Sequence, residues 1–66
     1  MIISEIVRGI LTDRDFIDKG RCERRSSDPE RLRRRLWKAA RRRKYRWKFA
    51  IGGDRLYIYL KKDTPL

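Results

Sequence analysis

Apolar residues near the start of the chain recur at the spacing of a helix. The i, i+3, i+4, i+7, i+8 pattern of an amphipathic helix is followed by Ile3, Ile6, Val7, Ile10 and Leu11. This pattern predicts an N-terminal helical segment within residues 1–20. A short second helix is expected over 13–19, with Thr12 and Asp15 imitating a capping box and Gly20 closing the last turn. A strand over residues 2–7, added to the sheet described below, is the alternative.

Residues 20–27 show no apolar period. We therefore expect a basic loop over residues 21–28, and it is the one stretch in which we expect mobility.

A long helix is predicted to start at Asp28 and Pro29. Asp accepts hydrogen bonds from the first free amides, and Pro lacks only a donor that would otherwise stay unpaired. The helix should run over residues 29–44, with an apolar stripe formed by Leu32, Leu36, Ala39 and Ala40. Trp37 lies at the edge of the stripe and is expected in the core. Arg43 falls inside the stripe, so its side chain must reach solvent or the helix must fray before it.

The last segment alternates apolar and polar residues on both sides of a Gly-Gly-Asp sequence. This pattern predicts an antiparallel β-hairpin over residues 45–61. A two-residue loop at Gly53 and Asp54 sets the register, in which three apolar pairs share one face: Ile51 with Leu56, Phe49 with Ile58, and Trp47 with Leu60. In the same register Lys48 faces Tyr59, and Arg46 faces Lys61. Residues 62–66 are expected to be a frayed tail.

These elements predict one small domain over residues 1–66 of the α+β class. Two or three helices would pack on one face of the C-terminal antiparallel hairpin, which is marginally stable when uncovered. The order of elements resembles that of a winged helix-turn-helix, and the resemblance concerns element order alone. The loop of about eight residues before the long helix is longer than a helix-turn-helix turn. A core this thin also favours a homodimer as one arrangement.

Charge is concentrated in the middle of the chain. The protein has 66 residues, 20 Lys and Arg, 9 Asp and Glu, and a net charge of +11. Residues 21–48 hold fourteen of the cations and three of the acids, which alone makes +11. A localised block of like charge repels itself and favours a polyanionic partner.

The predicted function is binding of nucleic acid, with DNA favoured over RNA, mainly through phosphate contacts. The affinity is assigned to an arc of roughly 120° on the long helix, formed by Arg31, Arg34, Arg35, Lys38, Arg41 and Arg42. The hairpin would extend this footprint through Arg46, Lys48 and Lys61, and the loop would add Arg24 and Arg25. Tyr57 and Tyr59 are candidates for base stacking.

Two other functions stay open. The basic helix could dock on an acidic host protein, as an inhibitor or adaptor. A minimal endoribonuclease without His could recruit Glu23, Glu30, Tyr45 and the arginines, but no spacing singles these residues out. We expect a protein that is not an enzyme and that needs no cofactor.

The remaining residue types limit the chemistry. With no His and one Cys, the chain predicts no disulfide framework and no Cys/His metal site. Cations near Cys22 would lower the pKa of its thiol. No apolar run is long enough for a membrane span, and residues 1–5 do not resemble a signal peptide. A cytoplasmic or nucleoid-associated location is expected, and the composition would suit an accessory protein of a phage or mobile element.

Overall fold

The computed structural model describes residues 2–61, and the predicted tail at 62–66 lies outside them. Three helices and a three-stranded sheet follow one another as α1 (Ile3–Leu11), α2 (Arg14–Lys19), β1 (Arg21–Arg25), α3 (Pro29–Arg42), β2 (Trp47–Gly52) and β3 (Arg55–Leu60). The sheet is antiparallel with strand order β1-β3-β2. The predicted α+β class is confirmed. Within the described range, no helix has the length and apolar character needed to cross a membrane.

Strand β1 corrects the prediction of a basic loop over residues 21–28. Residues 21–25 pair with β3, with Cys22 opposite Ile58 and Arg24 opposite Leu56. The backbone pairing continues one residue further, since the amide of Ser26 donates to the carbonyl of Asp54 at 2.8 Å. A short, charged strand is typical of a sheet edge, where charges discourage pairing with other chains. Because β1 separates α2 from α3, these two helices do not form a helix-turn-helix.

The hairpin has the predicted register. Ile51, Phe49 and Trp47 lie opposite Leu56, Ile58 and Leu60, respectively, and Lys48 lies opposite Tyr59. Gly53 has a φ of 62°, while Asp54 is not among the residues with positive φ. A positive φ at the first central residue alone is typical of a type II′ turn, which matches the twist of the flanking strands. Beyond the strands, the amide of Lys61 donates to the carbonyl of Arg46 at 2.8 Å.

The N-terminal segment is helical, and the alternative of a strand over residues 2–7 is wrong. The helix α2 is capped by Asp13 rather than Thr12: the Asp13 carboxylate accepts from the amides of Asp15 at 2.9 Å and Phe16 at 3.3 Å. The hydroxyl of Thr12 instead donates to the carbonyl of Arg8 at the end of α1. Gly20 closes α2 in the left-handed conformation, as predicted.

The helix α3 starts as predicted and ends two residues earlier. The Asp28 carboxylate accepts from the amide of Arg31 at 3.1 Å. At the other end, the amide of Lys44 donates to Arg41 and the amide of Tyr45 donates to Ala40. These two bonds form a Schellman motif, which satisfies carbonyls at the helix end. Its left-handed position is occupied by Lys44, with a φ of 62°.

The core lies between the helices and one face of the sheet. The predicted stripe of α3 is buried, and so are Leu56 and Ile58 of the central strand. Trp47 is 9% exposed and contacts the rings of Phe16 and Phe49, so its predicted place in the core is confirmed. Trp37 is 44% exposed, and the prediction that it lies in the core is wrong. The other elements cover only the four central residues of the α3 stripe, which are Leu32, Leu36, Ala39 and Ala40.

Replacing Lys44 by Gly should stabilise the protein by about 0.5–1 kcal/mol, because Gly adopts the left-handed conformation without the steric cost of a Cβ atom. The measurement is the free energy of unfolding in urea. The Lys44→Ala variant removes the same charge and keeps the Cβ atom, so it should stay close to the parent protein. Equal free energies of unfolding of the Gly and Ala variants would mean that the left-handed backbone at position 44 carries no steric cost.

Candidate nucleic-acid interface

The outward side of α3 carries a continuous row of cations. The burial of Leu32, Leu36 and Ala39 against the rest of the domain leaves the opposite side of the helix in solvent. All six cations of the predicted arc are exposed, and among residues 2–61 none of them forms an ion pair: Arg31, Arg34, Arg35, Lys38, Arg41 and Arg42. This side is named the α3 cationic face below.

One acidic residue of α3 is neutralised beside this face rather than within it. Glu30 pairs with Arg33, three residues further along the helix. The hydrogen bond from Arg33 holds the pKa of Glu30 below its ordinary value. Because Arg33 lies outside the arc, this ion pair leaves the charge of the α3 cationic face intact.

Trp37 lies at the border of the α3 cationic face. The guanidinium carbon of Arg41 is 5.2 Å from the centroid of its ring, one helical turn further along. A cation over an indole ring is attracted by the negative face of the ring. This contact orients Arg41 without neutralising its charge.

The hairpin residues of the predicted interface lie on the sheet face opposite the helices and at the open end of the hairpin. Leu56 and Ile58 of β3 point to the helices, so Tyr57 and Tyr59 point to the opposite face of the sheet. Lys48 faces Tyr59 across the strands and therefore lies on that opposite face as well. Arg46 and Lys61 are exposed at the open end of the hairpin. Lys48 therefore does not extend the α3 cationic face but belongs to a second surface.

Arg24 and Arg25 lie on a strand, not on a flexible loop, and they point to opposite faces of it. Arg24 points to the helices and forms an ion pair with Asp13 at 3.1 Å, with 31% of its side chain exposed. Arg25 points away from the helices and pairs with Asp54 at 3.2 Å, with 74% of its side chain exposed. An exposed pair of this kind contributes little to stability and opens easily. Arg25 is thus the more accessible of the two cations.

Arg21 is an exposed cation that was not predicted to belong to the interface. It lies directly opposite Tyr59 on the outward face of the sheet. A strand over 21–25 would have placed Arg21, Glu23 and Arg25 on one face through its period of two. Alternation of inward and outward residues was therefore the available signal for this strand. The signal is weak because Cys22 is the only apolar residue among residues 21–25.

The environment of Cys22 corrects the expectation of a lowered pKa. Its side chain is buried on the helix side of the sheet, and burial raises the pKa of the thiol to about 11. The positive charge of Arg24 acts in the other direction but is the smaller effect. The thiol is therefore protonated at neutral pH and packs as a small apolar group.

A scan against protein-family models, a search of curated proteins and a search of solved structures find no match to this chain.

Asp13 should make the stability of the protein depend on acid pH. Hydrogen bonds from the amide of Phe16 and from Arg24 hold the pKa of its carboxylate below 3.8. At acid pH the native state therefore binds fewer protons than the unfolded state. The ionised Asp13 side chain stabilises the native state fully above the ordinary pKa of Asp, and this stabilisation is lost as the pH falls through the lowered pKa of the native state. The Asp13→Asn variant keeps a capping side chain and loses the charge. The free energies of unfolding of the two proteins in urea should differ near pH 7, and the difference should shrink as the pH falls below the ordinary pKa of an Asp side chain. A difference that stays constant with pH would argue against this role.

Cys22 should react slowly with thiol reagents in the folded protein. With the pKa of the thiol raised to about 11, the thiolate fraction near pH 8 is on the order of 100-fold below that of an ordinary cysteine. Labelling by a disulfide reagent, followed by absorbance, should accelerate at least by this factor in concentrated urea. Equal rates in the two conditions would mean that the thiol is exposed and ionised in the native state.

Proposed function

We propose that the protein binds double-stranded DNA through the α3 cationic face. The observation that carries this proposal is the set of six exposed cations on one side of α3. None of the six forms an ion pair with another of residues 2–61. Cations left without acidic partners keep their full attraction for phosphate, because no internal contact has to be broken first.

The dimensions of α3 match those of a duplex. From Arg31 to Arg42 the helix rises about 16 Å, and duplex DNA presents one negative charge per about 1.7 Å of its axis. Six cations over that length are therefore close enough to several phosphates to neutralise them. Most of the cations are arginines, whose planar guanidinium groups donate two parallel hydrogen bonds to a phosphate.

The shape of a helix favours DNA over double-stranded RNA. The major groove of B-form DNA admits an α-helix, whereas the major groove of A-form RNA is deep and narrow. Contacts with phosphates alone would position the protein without selecting a sequence. We therefore expect affinity for duplex DNA with modest dependence on its sequence.

Both ends of α3 are fixed before any ligand arrives. Asp28 caps the first turn, and the Schellman motif closes the last one. Between them, Leu36 is fully buried in the core. A helix that is already ordered loses little conformational freedom on binding, which favours affinity.

The binding of duplex DNA should weaken steeply with salt. If six phosphates are neutralised, the logarithm of the affinity should fall against the logarithm of the salt concentration with a slope of about −5. The Arg34→Gln/Arg35→Gln variant should reduce this slope by about 2 and lower the affinity on the order of 10- to 100-fold near 0.1 M salt. Fluorescence anisotropy with a labelled duplex measures both quantities.

The matched control is the Arg8→Gln/Arg14→Gln variant, which removes the same charge from exposed positions of α1 and α2. It should keep the slope of the parent protein. Equal losses in the two variants would mean that net charge alone, and not the α3 cationic face, determines binding. A flat salt dependence, together with capture of an acidic protein that survives nuclease treatment, would favour the alternative of a protein-interaction module.

A further inference from the structure

The outward face of the sheet forms a second surface with its own chemistry. The strand register arranges its side chains in three rows across β1, β3 and β2: Arg21, Tyr59 and Lys48; Glu23, Tyr57 and Ala50; and Arg25, Arg55 and Gly52. Side chains directly opposite each other in such rows have Cβ atoms about 5 Å apart. Tyr59 therefore lies between two cations.

Charge is neutralised at one end of this face and not at the other. Near the hairpin turn, Arg25 pairs with Asp54 at 3.2 Å and Arg55 pairs with Glu23 at 3.3 Å. Around Tyr59, in contrast, Lys19, Arg21 and Lys48 form no ion pairs with any of residues 2–61. The excess positive charge of this face is thus centred on Tyr59.

A cavity of about 290 Å³ opens beside this tyrosine. Its wall combines aromatic rings, cations and carboxylates: Tyr57, Tyr59, Lys19, Arg21, Asp15 and Glu23. A cavity of this size is near the lower limit of small-ligand sites. It has room for one planar ring with a charged group attached.

The two tyrosine rings have different freedom. A Cβ atom at Gly52 would lie 3.1 Å from Cε2 of Tyr57, so that ring leans over the glycine and covers part of its own face. Tyr59 is 37% exposed and leaves more of its surface to solvent. The exposed ring of Tyr59 is thus the more accessible stacking surface.

We propose that this cavity binds one nucleotide of a single-stranded nucleic acid. The base stacks on Tyr59, and Arg21, Lys48 and Lys19 hold the adjacent phosphates. The strand must be single because the bases of a duplex are already stacked and cannot present their faces to a side chain. This site lies on the side of the sheet opposite α3, and it depends on the proposed function only for the ligand class.

Asp15 gives the site a means of selecting bases. Asp15 lines the cavity, and its carboxylate has no ion-pair partner within residues 2–61. A carboxylate accepts a hydrogen bond from the amino group of cytosine, whereas thymine offers a carbonyl at the same position. A cytosine oligonucleotide is therefore expected to bind more tightly than a thymine oligonucleotide, and the Asp15→Ala variant should reduce that difference.

The test uses a labelled single-stranded cytosine oligonucleotide of about ten nucleotides, within the usual site size of such proteins. Tyr59→Phe keeps an aromatic ring and should bind within about twofold of the parent protein, whereas Tyr59→Leu should bind roughly 5- to 100-fold more weakly. In addition, the ring protons of Tyr59 should shift upfield in NMR spectra when the oligonucleotide is added. Equal binding by the Phe and Leu variants, or no ring shift, would overturn the proposal.

Two controls separate this site from the α3 cationic face. Tyr59→Leu should leave duplex affinity unchanged, and Arg34→Gln/Arg35→Gln should weaken duplex binding more than single-strand binding. If the Tyr59 ring responds and duplex binding is absent, the nucleotide site stands and the duplex proposal fails. If duplex DNA binds and Tyr59 does not respond, the reverse holds. An equal ring shift with polyglutamate would overturn the nucleotide site, because charge alone would then explain the response.

Discussion

The contact between α3 and the hairpin determines where the two cationic surfaces described above lie. Leu36 of α3 and Leu56 and Ile58 of β3 are fully buried in the same core. Once the apolar stripe of α3 is buried, its cations must face solvent, because a helix presents the two residue types on opposite sides. Once Leu56 and Ile58 face the helix, the tyrosines between them must face the other way. A single layer of apolar contacts thus separates two cationic surfaces.

The core between α3 and the hairpin is small, and individual side chains cover its ends. Ala39 and Ala40 have small side chains, which allows α3 to approach the sheet closely. The ring of Phe16 meets the ring of Trp47 at 5.6 Å, so that α2 covers one end of the core. Arg24 reaches from β1 toward α1 and is held there by Asp13. An inward-pointing cation is tolerated at this edge because its partner supplies the missing charge.

The parts of the structure that were predictable from sequence are those in which one local period determines burial. Alternation around Gly53 and Asp54 specifies the hairpin register, since a slip by one residue would place a whole apolar set in water. The start of α3 has an equally local signal in Asp28 and Pro29. The strand β1 has no such signal: Cys22 is its only buried apolar residue, and the inward position of Arg24 is explained by Asp13, eleven residues earlier. Pairing that depends on distant partners leaves little trace in a local pattern.

The candidate interface also has one part that a local sequence pattern predicts and one part that it does not. The α3 cationic face follows from the helical period alone, and the hairpin register predicts Lys48 opposite Tyr59. The place of Arg21 on the other side of Tyr59 depends on the pairing of β1 with β3, which no local pattern predicts. The exposure of Trp37 also depended on how wide a stripe the other elements cover, which no periodicity within α3 could specify. A residue at the edge of an amphipathic stripe is placed by its neighbours in space.

The cost of the α3 cationic face argues that it has a use. Like charges three or four residues apart on a helix destabilise it by about 0.2–0.5 kcal/mol for each pair. The arc contains six such pairs, which Arg31, Arg34, Arg35, Lys38, Arg41 and Arg42 form among themselves. Together they cost about 1–3 kcal/mol before screening by salt, a large part of the stability of so small a core. No acidic side chain within residues 2–61 forms an ion pair with these six cations. A polyanion along the helix would offset their repulsion, and its binding would therefore stabilise the fold.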